Sequence, residues 1–151
     1  MTHIIVIGSD HSGYYMKECI KNFLLEERYN KSRIEIIDVG CNNPKRCDYP
    51  DIAESIQGVI KEHGDKLVTG IAICGTGNGI GMSLNRYRHI RAAVCHNHFI
   101  AEMSRKHNDA NVLTLGARVI SNQEAYELVD IFLTTLFEGG RHLKRIEKFS
   151  T

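Results

Sequence analysis

Short apolar runs alternate with amphipathic stretches along this chain. The runs cover residues 3–8, 34–40, 68–74, 91–95 and 112–116, are mostly β-branched or aliphatic, and several end at Gly or Cys. Runs of this length and composition read as buried strands of a parallel sheet, which need no polar face because helices cover both sides. Between them the apolar positions return at helical spacing. Met16, Cys19, Ile20, Phe23 and Leu24 share one face, and Ile52, Ile56, Val59 and Ile60 share another. Ala125, Leu128, Val129, Phe132, Leu133 and Leu136 form a third, opened by Ser121 and Glu124 at the spacing of a capping box. The alternation predicts an α/β fold: a mostly parallel five-stranded sheet covered on both faces, with right-handed connections and any ligand beyond the carboxyl ends of the strands.

Composition narrows the class. The chain has 151 residues, 42% of them hydrophobic and 25% charged, which suits one packed domain spanning 1–151. Its two prolines, Pro44 and Pro50, and the lack of any low-complexity tract give no sign of a linker. Nineteen Lys and Arg against eighteen Asp and Glu leave +1, so charge gives no argument for nucleic acid or a membrane surface as partner. No apolar run approaches the ~20 residues of a bilayer span. The first residues lack the pattern of a secretory signal. Five scattered cysteines suit reduced thiols in a cytoplasmic protein.

The candidate chemistry gathers where strands are expected to end. The first run leads into Gly8-Ser9-Asp10-His11-Ser12-Gly13, where Asp10 can bind hydroxyls and His11 an anion, or Asp10 can simply cap a helix beside a surface His. The third leads into Cys74-Gly75-Thr76-Gly77-Asn78-Gly79-Ile80-Gly81. Its glycines let the backbone approach a ligand and turn N–H groups toward an anion, but their alternate spacing is neither the dinucleotide fingerprint nor a P-loop. Cys74 is either a buried structural thiol or a base whose thiolate those dipoles stabilise, and the adjoining loop favours chemistry. His107 and Asn108 precede the fifth run, with a half-buried structural His as the plainer reading. Arg141 and Arg145 at i, i+4 form either a phosphate clamp or a solvated basic tail. Cys95-His96-Asn97-His98 lacks a fourth ligand and is a weak metal signal.

Seven ordered motifs carry a resemblance. They are Gly8-Ser9-Asp10-His11, Asp48-Tyr49-Pro50, Cys74-Gly75-Thr76-Gly77, Asn85 followed by Ile90-Arg91-Ala92-Ala93, His107-Asn108-Asp109-Ala110-Asn111, Gly116-Ala117-Arg118 and Phe137-Glu138-Gly139-Gly140-Arg141-His142. Over almost the whole chain the sequence resembles ribose-5-phosphate isomerase type B, of the family that also includes galactose-6-phosphate isomerase. The resemblance implies a Rossmann-like three-layer α/β/α sandwich, a homodimer or dimer of dimers with shared sites, and no cofactor or metal. It implies an aldose-ketose isomerase of the pentose phosphate pathway acting on a phosphorylated pentose. Cys74 would be the base that moves a proton between C2 and C1, Thr76 would assist at oxygen, and His107 would open the furanose ring. Asp10, Tyr49 and Asn108 would line the sugar, and the amides of Gly75, Gly77, Asn78 and Gly79 would meet the enediolate. His11, Arg118, Arg141 and Arg145 would hold phosphate, the last two reaching across the dimer from a C-terminal arm at 139–151.

Asn78, Gly81, Leu84 and His89 depart from the family pattern and bear on sugar length. Isomerisation of a six-carbon sugar phosphate, such as allose or galactose 6-phosphate, is the nearest alternative, and a non-catalytic sugar-phosphate-binding module is a more distant one.

Overall fold

The computed structural model describes residues 2–26, 29 and 33–150, so residues 1, 27, 28, 30–32 and 151 of the expected domain lie outside the described residues. In chain order the elements are β1 (His3–Ser9), a 3₁₀ turn (His11–Gly13), α1 (Tyr14–Leu25), β2 (Ile34–Asp38), α2 (Tyr49–His63) and β3 (Val68–Cys74). They continue as α3 (Asn78–Leu84), β4 (Ala92–Val94), α4 (His98–Lys106), β5 (Val112–Gly116), α5 (Asn122–Thr134) and α6 (Arg141–Glu147). All five strands are parallel, in the order β2-β1-β3-β5-β4. The expected strands are all present. β4 is shorter than its apolar run, because only residues 92–94 pair with β5.

Successive strand residues face opposite ways, and the two faces carry separate cores. Ile5, Ile7, Ile71, Ile73, Leu113 and Leu115 pack under α1, α4 and α5. Ile4, Val6, Val68, Ala72, Cys74 and Val112 pack under α2 and α3. The result is the expected three-layer sandwich. Each fully buried aliphatic side chain contributes roughly 1.5–3 kcal/mol of transfer free energy. The capping box at Ser121 and Glu124 forms as read, with both reciprocal hydrogen bonds present.

Three features depart from the reading of the chain. Cys41 and Cys47 are joined in a disulfide, which corrects the expectation of five reduced thiols. The turn between them brings their Cα atoms to 6.6 Å, and Cys19, Cys74 and Cys95 remain thiols. Lys17, on the inner face of α1, is fully buried, with its ammonium 2.8 Å from both oxygens of Asp38 at the end of β2. Finally, the segment after Gly140 folds back on its own chain. Gly139 and Gly140 take φ of +71° and +58°, a reversal that glycine makes at little cost. His142 and Ile146 are buried, and the Ser150 hydroxyl donates to the Arg88 carbonyl at 2.9 Å.

Candidate active site

The strand order reverses direction between β1 and β3, because β1 leads outward to β2 on one side and β3 lies on the other. Such a crevice, at the carboxyl ends of the strands, is where ligands of open α/β sheets bind. Asp10 and His11 follow β1 there, and Cys74 closes β3. The Asp10 amide donates to the Ile73 carbonyl at 3.1 Å, which ties the two strand ends together.

The glycine loop is folded onto Cys74. The buried sulfur accepts the Gly77 N–H at 3.1 Å, and the Thr76 hydroxyl accepts the Asn78 N–H at 3.2 Å. Gly77 has φ +83°, and a Cβ there would meet the Leu115 backbone at 3.2 Å, so glycine is required on both counts. The amides of Gly77 and Asn78 are thus turned inward, leaving those of Gly75 and Gly79 as the better candidates for a substrate oxyanion. Around the loop stand three expected site residues. The Tyr49 ring lies against Gly79, so closely that a Cβ there would fall 2.6 Å from Cε1. Arg118 donates its amide to the Gly75 carbonyl at 2.9 Å, and its Nη1 would sit 3.4 Å from a Cβ on Gly75. His11 Nδ1 lies 3.2 Å from the Cys47 carbonyl and 3.3 Å from the Cys47 amide, so the tautomer decides which bond it makes. Only when Nδ1 accepts the Cys47 amide does the neutral ring carry its proton on Nε2, where it can donate to an anion.

Asp10 resolves toward the plainer of its two readings. One oxygen, Oδ1, accepts from the Ser12 amide at 2.9 Å, the Ser12 hydroxyl at 2.5 Å and the Gly13 amide at 3.2 Å. It caps the 3₁₀ turn, and Oδ2 remains for a sugar hydroxyl.

Within one chain the structure does not bring His107, Asn108, Arg141 and Arg145 to Cys74. Cys74 is level with Gly116 in the sheet register, at the carboxyl end. His107 ends α4 five residues before Val112, at the amino end. β5 alone separates those ends by about 13 Å of strand rise. Arg141 and Arg145 lie on α6, exposed at the same amino end.

The reading of the chain also missed two partners of His107. Its ring stacks on that of buried His142, with centroids 4.3 Å apart and planes 15° from parallel. Glu138 Oε1 lies 3.4 Å from His107 Nε2 and 3.7 Å from His142 Nε2. Burial, then the neighbouring His107 and Arg141, hold His142 below the ordinary imidazole range against the opposing pull of Glu138. The Phe137–His142 motif contained both residues, but nothing in their spacing points to His107. Among the described residues this trio is the set of His, Cys, Asp and Glu that could hold a metal, with ligand atoms within 4.8 Å of one another. The near-parallel rings direct their lone pairs along separate planes, and Arg141 and Arg145 stand close by. The trio therefore suits a shared proton better than a tetrahedrally bound cation.

A cavity of about 330 Å³ also opens at the amino end, beside His3, Arg91, Arg105 and Asp109. Its guanidiniums are already engaged, Arg91 with Asp65 at 3.1 Å and Arg105 with Asp109 at 2.9 Å, so it offers no unpaired cation to an anion.

Residues 5–149 match the model of the family described as Ribose/Galactose Isomerase. Ribose-5-phosphate isomerase B of Escherichia coli is 40% identical over 143 residues, covering 95% of this chain and 91% of that protein. The structure of ribose-5-phosphate isomerase B from Clostridium thermocellum superposes with a TM-score of 0.87 at 44% identity, covering 96% of this chain and 93% of the other. That of ribose-5-phosphate isomerase B from Mycoplasma genitalium, with bound ribulose-5-phosphate, gives a TM-score of 0.86 at 36% identity, covering 98% and 94%.

Proposed function

The chain belongs to the ribose/galactose isomerase family, and we propose that within it the chain interconverts ribose 5-phosphate and ribulose 5-phosphate. One observation carries the reading: a buried thiol at the carboxyl end of β3, held by the Gly77 amide at 3.1 Å and facing a glycine loop. Proton transfer next to a carbonyl needs such a base on one face of the sugar and dipoles near the developing oxyanion.

The chemistry follows in order. The Cys74 thiolate removes the C2 proton of the open-chain aldose, and the electron pair moves through C1–C2 onto the carbonyl oxygen. The enediolate that forms is met by the Gly75 and Gly79 amides, and the Thr76 hydroxyl assists proton transfer between its oxygens. Return of the proton to C1 gives the ketose. His11 and Arg118 hold the phosphate, which anchors the sugar away from the reacting carbons.

A second copy of this chain completes the site. Ring opening requires an acid-base group, assigned to His107, and that residue with Asn108, Arg141 and Arg145 stands at the far end of its own sheet. In a homodimer the amino end of one protomer supplies these groups to the Cys74 loop of the other. No described helix is long and apolar enough to cross a membrane. The enzyme acts on a free phosphorylated pentose in the cytoplasm, in the non-oxidative branch of the pentose phosphate pathway.

The test is a coupled assay with ribose 5-phosphate and allose 6-phosphate side by side. Turnover of the pentose at the higher kcat/KM is expected. Preference for the hexose overturns the substrate, and turnover of neither overturns the activity.

A further inference from the structure

Glu138 stands in the turn before α6, yet it is fastened to the end of α4. Its amide donates to the Lys106 carbonyl at 3.1 Å, one residue before His107. That bond places its carboxylate beside His107 Nε2. The charged and titratable groups around His107 are Glu138 from the turn, His142, Arg141 and Arg145 from α6, and Lys106 from α4, which pairs with Glu102.

We propose that Glu138 is a positioning residue for ring opening: its carboxylate fixes the proton of His107 on Nε2, and the His142 ring holds the plane of that imidazole. The proposal rests on His107 being the ring-opening group. A neutral imidazole has one donor and one acceptor nitrogen, and an ionised carboxylate accepts only. The nitrogen facing Glu138 is therefore the donor, and Nδ1 presents its lone pair to the sugar. That is the form ring opening needs first. Nδ1 takes the proton of the anomeric hydroxyl, the bond from C1 to the ring oxygen breaks, and the imidazolium returns a proton to that oxygen. Aldehyde and hydroxyl result, with His107 restored.

Two imidazoles share the one carboxylate oxygen, so something must decide which it serves. His142 is buried among positive neighbours and stays neutral at neutral pH. Its ring is a fixed floor, and the negative charge is left to His107, whose proton changes during the reaction.

The experiment compares the full-length dimer with its Glu138→Gln variant, a change of equal size at a half-exposed position. Ribose 5-phosphate enters as a furanose. Ribulose 5-phosphate cannot close a furanose through its phosphorylated C5 oxygen and enters open. Forward turnover therefore needs ring opening, whereas exchange of the C1 proton of ribulose 5-phosphate with deuterium oxide does not. Glu138→Gln is expected to lower forward kcat by about tenfold or more, with KM and the exchange rate within about twofold of the parent. The ¹⁵N spectrum of the His107 ring, identified by its loss in His107→Asn, should pass from one tautomer to a mixture. Equal losses in turnover and exchange, or an unaltered tautomer, overturn the proposal. Parent protein without C1 exchange instead overturns the isomerase reading, an outcome the tautomer measurement separates from the first.

Discussion

The sulfur of Cys74 and the amide of Gly77 are 3.1 Å apart, a hydrogen bond that closes the glycine loop onto the last residue of β3. The bond holds the glycine loop against the buried thiol at the carboxyl end of β3. Cys74→Ala removes the base proposed above but leaves His11, Arg118 and the loop glycines. Its kcat is expected to fall roughly a hundredfold or more, while ribulose 5-phosphate still raises the melting temperature. Near-normal turnover would make the thiol structural.

Gly116 approaches the same loop from β5. A Cβ there would fall 2.7 Å from the Thr76 carbonyl carbon and oxygen, backbone atoms that cannot rotate away. Gly116→Ala should cost about 1–3 kcal/mol in urea unfolding and displace the loop, lowering kcat as well. Gly58, exposed in the interior of α2 with nothing within 4 Å of its Cβ position, is the control. Gly58→Ala should stabilise by about 0.5–1 kcal/mol with activity unchanged.

Separation of His107 from Cys74 makes a mixing experiment decisive. Cys74→Ala and His107→Asn chains should each be nearly inactive alone. After subunit exchange, the mixed dimer pairs an intact Cys74 with an intact His107 at one of its two sites; since random exchange makes about half of the dimers mixed, activity should return toward roughly a quarter of the parent's. Arg141→Ala should complement Cys74→Ala in the same way. Demonstrated exchange without recovered turnover would confine the site to one chain.

Asp38 is the counter-ion of a lysine with no access to water. Burial pushes its carboxyl up, but hydrogen bonds from Lys17, Lys21 and the Gly40 amide outweigh it and hold the group below the ordinary carboxylate range. A depressed folded value means that its stabilisation is present above the unfolded pKa of ~3.9 and is lost as pH falls through the folded value. Unfolding free energy should therefore drop below about pH 4, and less steeply in Asp38→Asn. At neutral pH that variant leaves Lys17 with only Glu18, at 3.4 Å, and should lose about 3 kcal/mol.

Cys95 provides an internal reference for thiol reactivity. Burial pushes its thiol up to about 11, against a smaller opposing effect of the Ser104 hydroxyl. It should stay protonated and escape iodoacetamide at pH 8 in the folded protein, then react once the chain is unfolded. Mass spectrometry of the Cys95 peptide reads both states, and labelling of the folded chain would contradict its burial.

The sequence by itself determined the strands, the helices α1, α2 and α5, and their layering. Side-chain direction repeats every 2 residues in a strand and every 3.6 in a helix, so the buried faces of α1, α2 and α5 are written into the spacing of Ile20, Ile56 and Leu128. The capping box at Ser121 is equally local. So is the glycine loop after Cys74, whose backbone demands restrict which residues can stand there. What only the tertiary structure decided involves groups far apart in the chain. Lys17 falls on a helical face whose spacing also suits a solvated charge, and only docking against β2 sets Asp38 beneath it. Asp10 could cap or bind until the Ser12 and Gly13 amides took one of its oxygens. His107 and Cys74 are both candidate site residues, yet a parallel sheet sends the residue that ends β3 and the residue that precedes β5 to opposite ends. Strand direction, fixed by pairing across the whole sheet, thus separates these two groups within one chain. The same folding of α6 onto the amino end brings Glu138 and His142 to His107, a contact that no local periodicity encodes.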